Sequence, residues 1–260
     1  CALPIWALGE VTGLLGTVTY RIGEESFPAV ATTPEACDLQ QLLWQMSRKG
    51  VSHAIMEVSS HGLEQKRVLG CRFAVAVVTN ITGEHLDFHR DFESYLRTKV
   101  KLFTSLGGTL VEPSGPKVAV INADDPCFPR IEEHCLGQKI TYGVYREADV
   151  QARGIEYRPR GVLFNLTAFG EHTEIELPVP GLFNVYNALA AIGVGLAEGI
   201  SVSKMSRTLS QVNAAPGRFE FIDQGQDFEI VVDYAHTPDG LENVLKTGRR
   251  LSRGRLITVF

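Results

Sequence analysis

The sequence predicts an α/β protein with a mostly parallel sheet flanked by helices, and three observations carry that prediction. Short apolar runs of strand length recur through the first half of the chain. Stretches with apolar residues at helical spacing lie between them. Polar clusters follow the runs, where the carboxyl ends of parallel strands would lie. Runs this continuously apolar suit strands buried on both faces, which is the habit of parallel sheets.

Gly16 to Tyr20 reads as a first short strand. Thr33-Pro34-Glu35 opens a helix, with Thr33 able to cap and Pro34 suited to the first helical position. Leu39, Leu42, Leu43 and Met46 keep helical spacing until Gly50 stops it. Val51 to Val58, Phe73 to Thr79 and Lys117 to Asn122 read as buried strands, and Phe92 to Leu106 as a helix. From Lys139 to Val179 the texture becomes short alternating segments broken by Gly, Pro and Arg, which predicts a small antiparallel sheet. Helices follow near Asn184 to Ala197 and Ser203 to Val212.

Ala214-Ala215-Pro216-Gly217 reads as a linker. It divides the chain into one domain over residues 1–215 and the start of a second over 216–260. In that second part Phe228 to Asp233 reads as a strand, Pro238 to Leu251 as a helix and Leu256 to Phe260 as a strand, one βαβ unit.

Composition narrows the class. The 260 residues are 44% hydrophobic and 21% charged, with a formal net charge of −5. No basic stripe marks a nucleic-acid partner. No apolar run approaches the roughly 18 residues a membrane helix needs. The five cysteines are scattered and never spaced C-x-x-C, which argues against a disulfide framework or zinc site and for a reducing, cytoplasmic setting with the thiols buried as small hydrophobes. The chain starts without Met and ends on an apolar run, so it reads as a fragment.

Three polar groups follow successive strands: Glu57-Val58-Ser59-Ser60-His61, Thr79 to Asp87, and Asn122-Ala123-Asp124-Asp125. Any one of them suits loop caps and turns; three in register suit a ligand. Carboxylate and imidazole at adjacent strand ends, such as Glu57 and His85, can hold a divalent ion with nucleotide phosphates. His61, His89 and His134 read as ordinary hydrogen-bonded or solvated residues, and Lys99 by periodicity alone as a solvated helix lysine. Asp233 at a strand end, with His236, suits a ligand, while Thr237 and Pro238 suit a helix start.

Taken together these strings resemble the Mur ligases, and within them the MurE branch. The resemblance rests on Gly16-Thr17-Val18, Thr32-Thr33-Pro34-Glu35, Met56 to Gln65, Arg67, Thr79 to His89, Lys99 to Phe103, Ile121 to Pro126, Gly181 to Ala191, Pro216 to Glu220, and Val232 to Asp239. It implies the central ATPase domain of that family followed by the start of a Rossmann-like C-terminal domain. It also implies ATP-dependent ligation: a carboxylate is phosphorylated and an amine attacks the acyl phosphate.

The partners implied are a UDP-MurNAc-dipeptide and a diamino acid, meso-diaminopimelate before L-lysine, in cell-wall synthesis, with no nucleic acid, no membrane and a monomeric enzyme. By the same resemblance Thr32, Thr33, Ser59, Gln65 and Arg67 would hold the UDP-MurNAc-dipeptide, and Glu57 and His85 would bind Mg2+. Lys99 would be carbamylated, Arg218 would stabilise charge in phosphoryl transfer, and Asn184, Asn187, Asp233 and His236 would lie near ATP.

Two departures stand out. Gly83-Glu84 replaces the pair often found before His-Leu-Asp, and Thr98 stands where alanine is common. The glycine-rich phosphate loop is expected upstream of this chain, and the residues that select the amino acid beyond Phe260, so the chain alone is expected to be inactive. A folylpolyglutamate synthase or another Mur ligase is a second enzymatic reading. A MurE-like component of a plastid transcription complex is the non-enzymatic one.

Overall fold

A computed structural model describes residues 5, 9–82, 86–107 and 117–260. The first sheet has four strands: β1 (Thr12–Leu15), β2 (Thr19–Ile22), β3 (Glu25–Pro28) and β4 (His53–Met56), in the order β3-β2-β1-β4. β4 runs parallel to β1, and the other neighbours are antiparallel. Gly16-Thr17-Val18, expected inside a strand, instead forms the turn from β1 to β2. Helix α1 (Ala36–Arg48) packs its Leu39 and Met46 on this sheet beside Leu15, Tyr20 and Ile22. Its spacing is the one predicted, and Gly50 follows its end at φ 71°, a left-handed value that glycine adopts freely.

The second sheet carries six strands. β5 (Val75–Val78), β6 (Val118–Asn122), β7 (Gln138–Gly143) and β8 (Val150–Arg158) are mutually parallel in sequence order. β9 (Gly161–Ala168) and β10 (Glu171–Leu177) extend the sheet antiparallel. The expected antiparallel segment therefore starts later than Lys139, because β7 returns parallel through a short helix. It is also part of the same sheet rather than a separate one.

Every residue of β6 is buried, and its alternation serves two cores. Val118 and Val120 face helix α6 (Leu182–Ala197) and helix α7 (Val202–Leu209) on one side. Ala119 and Ile121 face helix α4 (Phe92–Thr104) and helix α5 (Phe128–His134) on the other. That arrangement is the doubly wound pattern predicted from the continuous apolar run. Two short helices, α2 (Ser60–Glu64) and α3 (Leu86–His89), adjoin α4.

After residue 217 the architecture departs from the βαβ expectation. β11 (Glu220–Ile222) and β12 (Ile230–Val232) form an antiparallel hairpin, and helix α8 (Pro238–Leu251) follows. Thr237 caps α8 by accepting from the Gly240 amide at 3.2 Å, with Pro238 at its first position, as predicted. Leu256 to Phe260 forms no strand, and Ile257, Val259 and Phe260 are exposed. Among the described residues no helix is long and apolar enough to cross a membrane. Cys127 and Cys135 are buried as expected, whereas Cys37 is exposed and Cys71 half-buried.

Candidate functional site

The carboxyl end of β4 gathers six of the residues singled out from sequence. Glu57 follows β4, and its Oε2 accepts from the Thr17 amide at 3.0 Å and the Thr17 hydroxyl at 2.6 Å. Both bonds fall on one oxygen, so among the described residues Oε1 meets no protein donor. The Thr17 hydroxyl also lies 3.1 Å from that of Thr32. Gly16 allows this closeness: a Cβ there would sit 3.2 Å from the Glu57 carboxyl.

Thr33 is buried and does not cap α1, whose first turn starts at Ala36 after Glu35. Its hydroxyl instead donates to the Glu57 carbonyl at 2.9 Å and accepts from the Ser59 amide at 2.9 Å. The Ser59 hydroxyl caps α2 by accepting from the Gly62 amide at 3.0 Å. Arg67 closes the cluster. Its Nε donates to Gln65 at 2.8 Å, one terminal nitrogen to the Thr33 carbonyl at 2.9 Å, and the other pairs with Glu35 at 2.8 Å. A guanidinium has five N–H groups, so two remain for an anionic ligand beside Thr32 and Thr33. Thr32, Thr33, Glu57, Ser59, Gln65 and Arg67 thus form one connected surface.

Lys99 lies half-buried on α4 with its Nζ 5.2 Å from the Tyr95 ring centre. A chain of rings leads from it back to α2: Tyr95 to His89 at 5.3 Å, His89 to His61 at 5.8 Å, with Phe88 4.0 Å from His61. Thr98, one of the departures, is buried and donates to Glu64 at 3.0 Å. Glu64 also meets Lys101 at 2.6 Å; the bonds from Lys101 and Thr98 hold its carboxyl below the usual carboxylate range. His85 and its neighbours Gly83 and Glu84 lie outside the described residues. Among the described residues no three acidic, imidazole or thiol groups converge on a metal-sized space.

The third polar group has a different outcome. Asn122 donates to the Thr79 carbonyl at 2.8 Å, and the two Asp125 oxygens accept from the Ile81 and Cys127 amides at 2.8 and 2.7 Å. Asp124 accepts from the amides of Val144, Tyr145 and Arg146 and from the Tyr186 hydroxyl. Burial pushes the Asp124 carboxyl up, but these donors outweigh it and hold it below its ordinary value. The side chains expected to face a ligand here brace loops instead.

Asn184 and Asn187 occupy the first turns of α6, 3.3 Å apart, with Asn184 donating to the Pro180 carbonyl at 2.8 Å. Gly181 precedes them at φ 99°, a conformation that suits glycine. The ring of Phe183 lies 6.2 Å from that of Phe219, which brings this turn beside the hairpin. There Asp233 accepts from the Phe219 and Ala235 amides, each at 2.7 Å. The first bond holds buried Phe219 at φ 48°, a left-handed value that costs a bulky residue about 1–3 kcal/mol. The strained turn presents Arg218, whose guanidinium lies 5.1 Å from the Tyr234 ring, with the His236 ring 4.9 Å from Tyr234 on the same loop. Arg218, Asp233 and His236 are therefore one group, and in it Asp233 shapes the backbone.

Thr17, Glu35 and Tyr20 belong to the site but were not named as site residues from sequence. Thr17 and Glu35 stood inside quoted motifs. Tyr20 stood in none, and only the alternation of a β-strand could have flagged it as inward-facing.

Two sheets covered by helices, with polar residues gathered at the carboxyl end of β4, and a smaller hairpin-and-helix unit define a class of α/β proteins. The chain matches the Mur ligase middle domain over residues 5–195 and the Mur ligase glutamate ligase domain over residues 217–260, and it belongs to the Mur ligase family. It is 46% identical over 252 residues to a UDP-N-acetylmuramoyl-L-alanyl-D-glutamate--2,6-diaminopimelate ligase of Geobacillus thermodenitrificans, covering 97% of this chain and 51% of that protein. It is 43% identical over 251 residues to the enzyme of the same name from Bacillus licheniformis, covering 96% and 51%. A solved structure of a ligase of that name superposes with a TM-score of 0.80 at 32% identity, covering 95% of this chain and 50% of that one. The chain spans about half the length of the curated relatives it matches.

Proposed function

We propose that this chain forms the central part of an ATP-dependent ligase that adds a diamino acid to UDP-MurNAc-L-Ala-D-Glu in peptidoglycan synthesis. The observation that carries the reading is the connected surface of Thr32, Thr33, Glu57, Ser59, Gln65 and Arg67, in a chain 43–46% identical to proteins named for that reaction. Their names favour meso-diaminopimelate over L-lysine, and an enzyme over a plastid transcription-complex component. We assign residues 1–215 to the central domain and 216–260 to the start of the next, because the turn after α7 is followed by a hairpin with its own sheet.

In this reading a carboxylate of the dipeptide attacks the γ-phosphorus of ATP and ADP leaves. The amine of the diamino acid then attacks the acyl carbon and phosphate leaves. Arg67 offers its two spare N–H groups to the anionic substrate, with Thr32, Thr33, Ser59 and Gln65 around it. Arg218 would set its charge against that developing on the phosphoryl oxygens. Asn184, Asn187, Asp233 and His236 would frame the nucleotide. The open Oε1 of Glu57 is a hard donor suited to Mg2+, with His85 as its partner, and the ion would neutralise phosphate charge. Lys99, once carbamylated, would add an oxygen-donor anion. A monomer in the cytoplasm completes the proposal.

The test is ADP release by the protein at its relatives' full length, supplied with UDP-MurNAc-L-Ala-D-Glu, Mg2+ and bicarbonate. Turnover is expected with meso-diaminopimelate and not with L-lysine. Turnover with lysine alone would reassign the amino acid. A folded protein inactive with both would overturn the enzymatic reading.

A further inference from the structure

The loop over residues 29–33 presents Thr32 and Thr33, yet neither a helix nor a strand holds it. Every backbone group must find a partner or face water, and here the partners are side chains. Among the described residues the hydrogen bonds to this loop's backbone come from two residues. Arg67 donates to the Thr33 carbonyl at 2.9 Å. The Tyr20 hydroxyl takes both backbone groups of Ala31, accepting from its amide at 3.1 Å and donating to its carbonyl.

Tyr20 is well placed for that role. It lies on β2, 6% exposed, packed in the core with Leu15, Ile22 and Leu39. Its ring is therefore fixed by the sheet and the α1 face, and its hydroxyl is delivered to one point in the loop. A hydroxyl that both donates and accepts sets the position and the tilt of the peptide it holds, where a single bond would set only distance. The next residue is Thr32, whose hydroxyl meets Thr17, and then Thr33, whose hydroxyl bridges Glu57 and Ser59.

We infer that Tyr20 is a positioning residue for the UDP-MurNAc-dipeptide: it sets the 29–33 loop so that Thr32 and Thr33 meet the substrate. This rests on the substrate assignment of those two threonines given above. Buried and bonded to the Ala31 backbone, Tyr20 acts through the loop, so its effect belongs in substrate affinity rather than in chemistry or ATP binding.

The test compares Tyr20→Phe with Thr33→Val in the full-length protein. Tyr20→Phe keeps the buried ring and deletes only the hydroxyl. It is expected to raise KM for UDP-MurNAc-L-Ala-D-Glu about fivefold, as for loss of a hydrogen bond or two. The kcat and the KM for ATP should stay unchanged, and amide hydrogen exchange over 29–33 should speed up. Thr33→Val should raise the same KM. If Thr33→Val raises it and Tyr20→Phe does not, Tyr20 is only a satisfied core hydroxyl and the inference fails. If Tyr20→Phe lowers the melting temperature and worsens every kinetic constant alike, its role is merely structural and the inference also fails. If Thr33→Val changes nothing, the substrate assignment itself falls and takes the inference with it.

Discussion

Asp124 stands where β6 ends, and its carboxylate ties three pieces of chain together: its own strand end, the 144–146 loop and Tyr186 on α6. Hydrogen bonds to a charged acceptor are worth about 1.5–3 kcal/mol, so Asp124→Asn should cost about 2 kcal/mol at neutral pH. The pH dependence has a definite sign. The folded carboxyl lies below its ordinary value, so its stabilisation is complete above the unfolded value of about 3.9 and is lost as pH falls through the folded one. Urea titrations of wild type and variant should therefore differ most at pH 6–7 and converge below about pH 4. A constant gap down to the lowest pH would contradict the assignment. At this scale the sequence was legible where motifs were dense: Thr33, Ser59, Gln65 and Arg67, drawn from separate quoted stretches, are in contact in the fold. It was illegible for Tyr20 and Asp124. A hydroxyl reaching a backbone 11 residues away, or a carboxylate serving amides 20 residues on, leaves no periodic mark.

Helix α6 shows how an element is fitted to its surroundings. Two of its glycines meet different neighbours. A Cβ on Gly193 would lie 2.6 Å from Val120 Cγ1, on a fully buried strand whose branched side chain has nowhere to turn. A Cβ on Gly195 would lie 2.5 Å from the Met205 sulfur, the far end of a flexible side chain. Alanine gains about 1 kcal/mol of helix propensity at either site. Gly193→Ala should still lose about 1–3 kcal/mol to overpacking, while Gly195→Ala should be near neutral, read from thermal or denaturant midpoints. Equal effects would mean that the helix shifts as a body. Element identity was well signalled where local chemistry decides it, as in α8 from its Thr237 cap and Pro238 start or β6 from its unbroken apolar run. The direction of β7 was not signalled, because a crossover through α5 sets it and the strand's own residues read the same either way. Leu256 to Phe260 likewise carries strand composition without a partner strand among the described residues.

Across the whole molecule, the hairpin-and-helix unit meets the central sheet along a seam of charged and aromatic side chains. Arg160, at the β8–β9 turn, pairs with Glu229 at 3.2 Å and lies 4.8 Å from the Phe221 ring centre. Arg250 on α8 lies 4.6 Å from that of Tyr157 on β8. Exposed contacts of this kind are worth about 0.5–1 kcal/mol each and weaken with salt. Arg160→Ala, or wild type at high salt, should therefore speed limited proteolysis of residues 211–218. Unchanged cleavage in both would place the seam's strength in the Phe183–Phe219 contact instead.

The loop over residues 29–33 has one more consequence, for descent rather than for catalysis. Because side chains from β2 and from the segment after α2 hold it, no sheet register depends on its length or composition. A lineage can lengthen or recolour that loop while the open four-stranded sheet beneath is inherited untouched. Tyrosine and arginine at its two moorings are what such variation must keep.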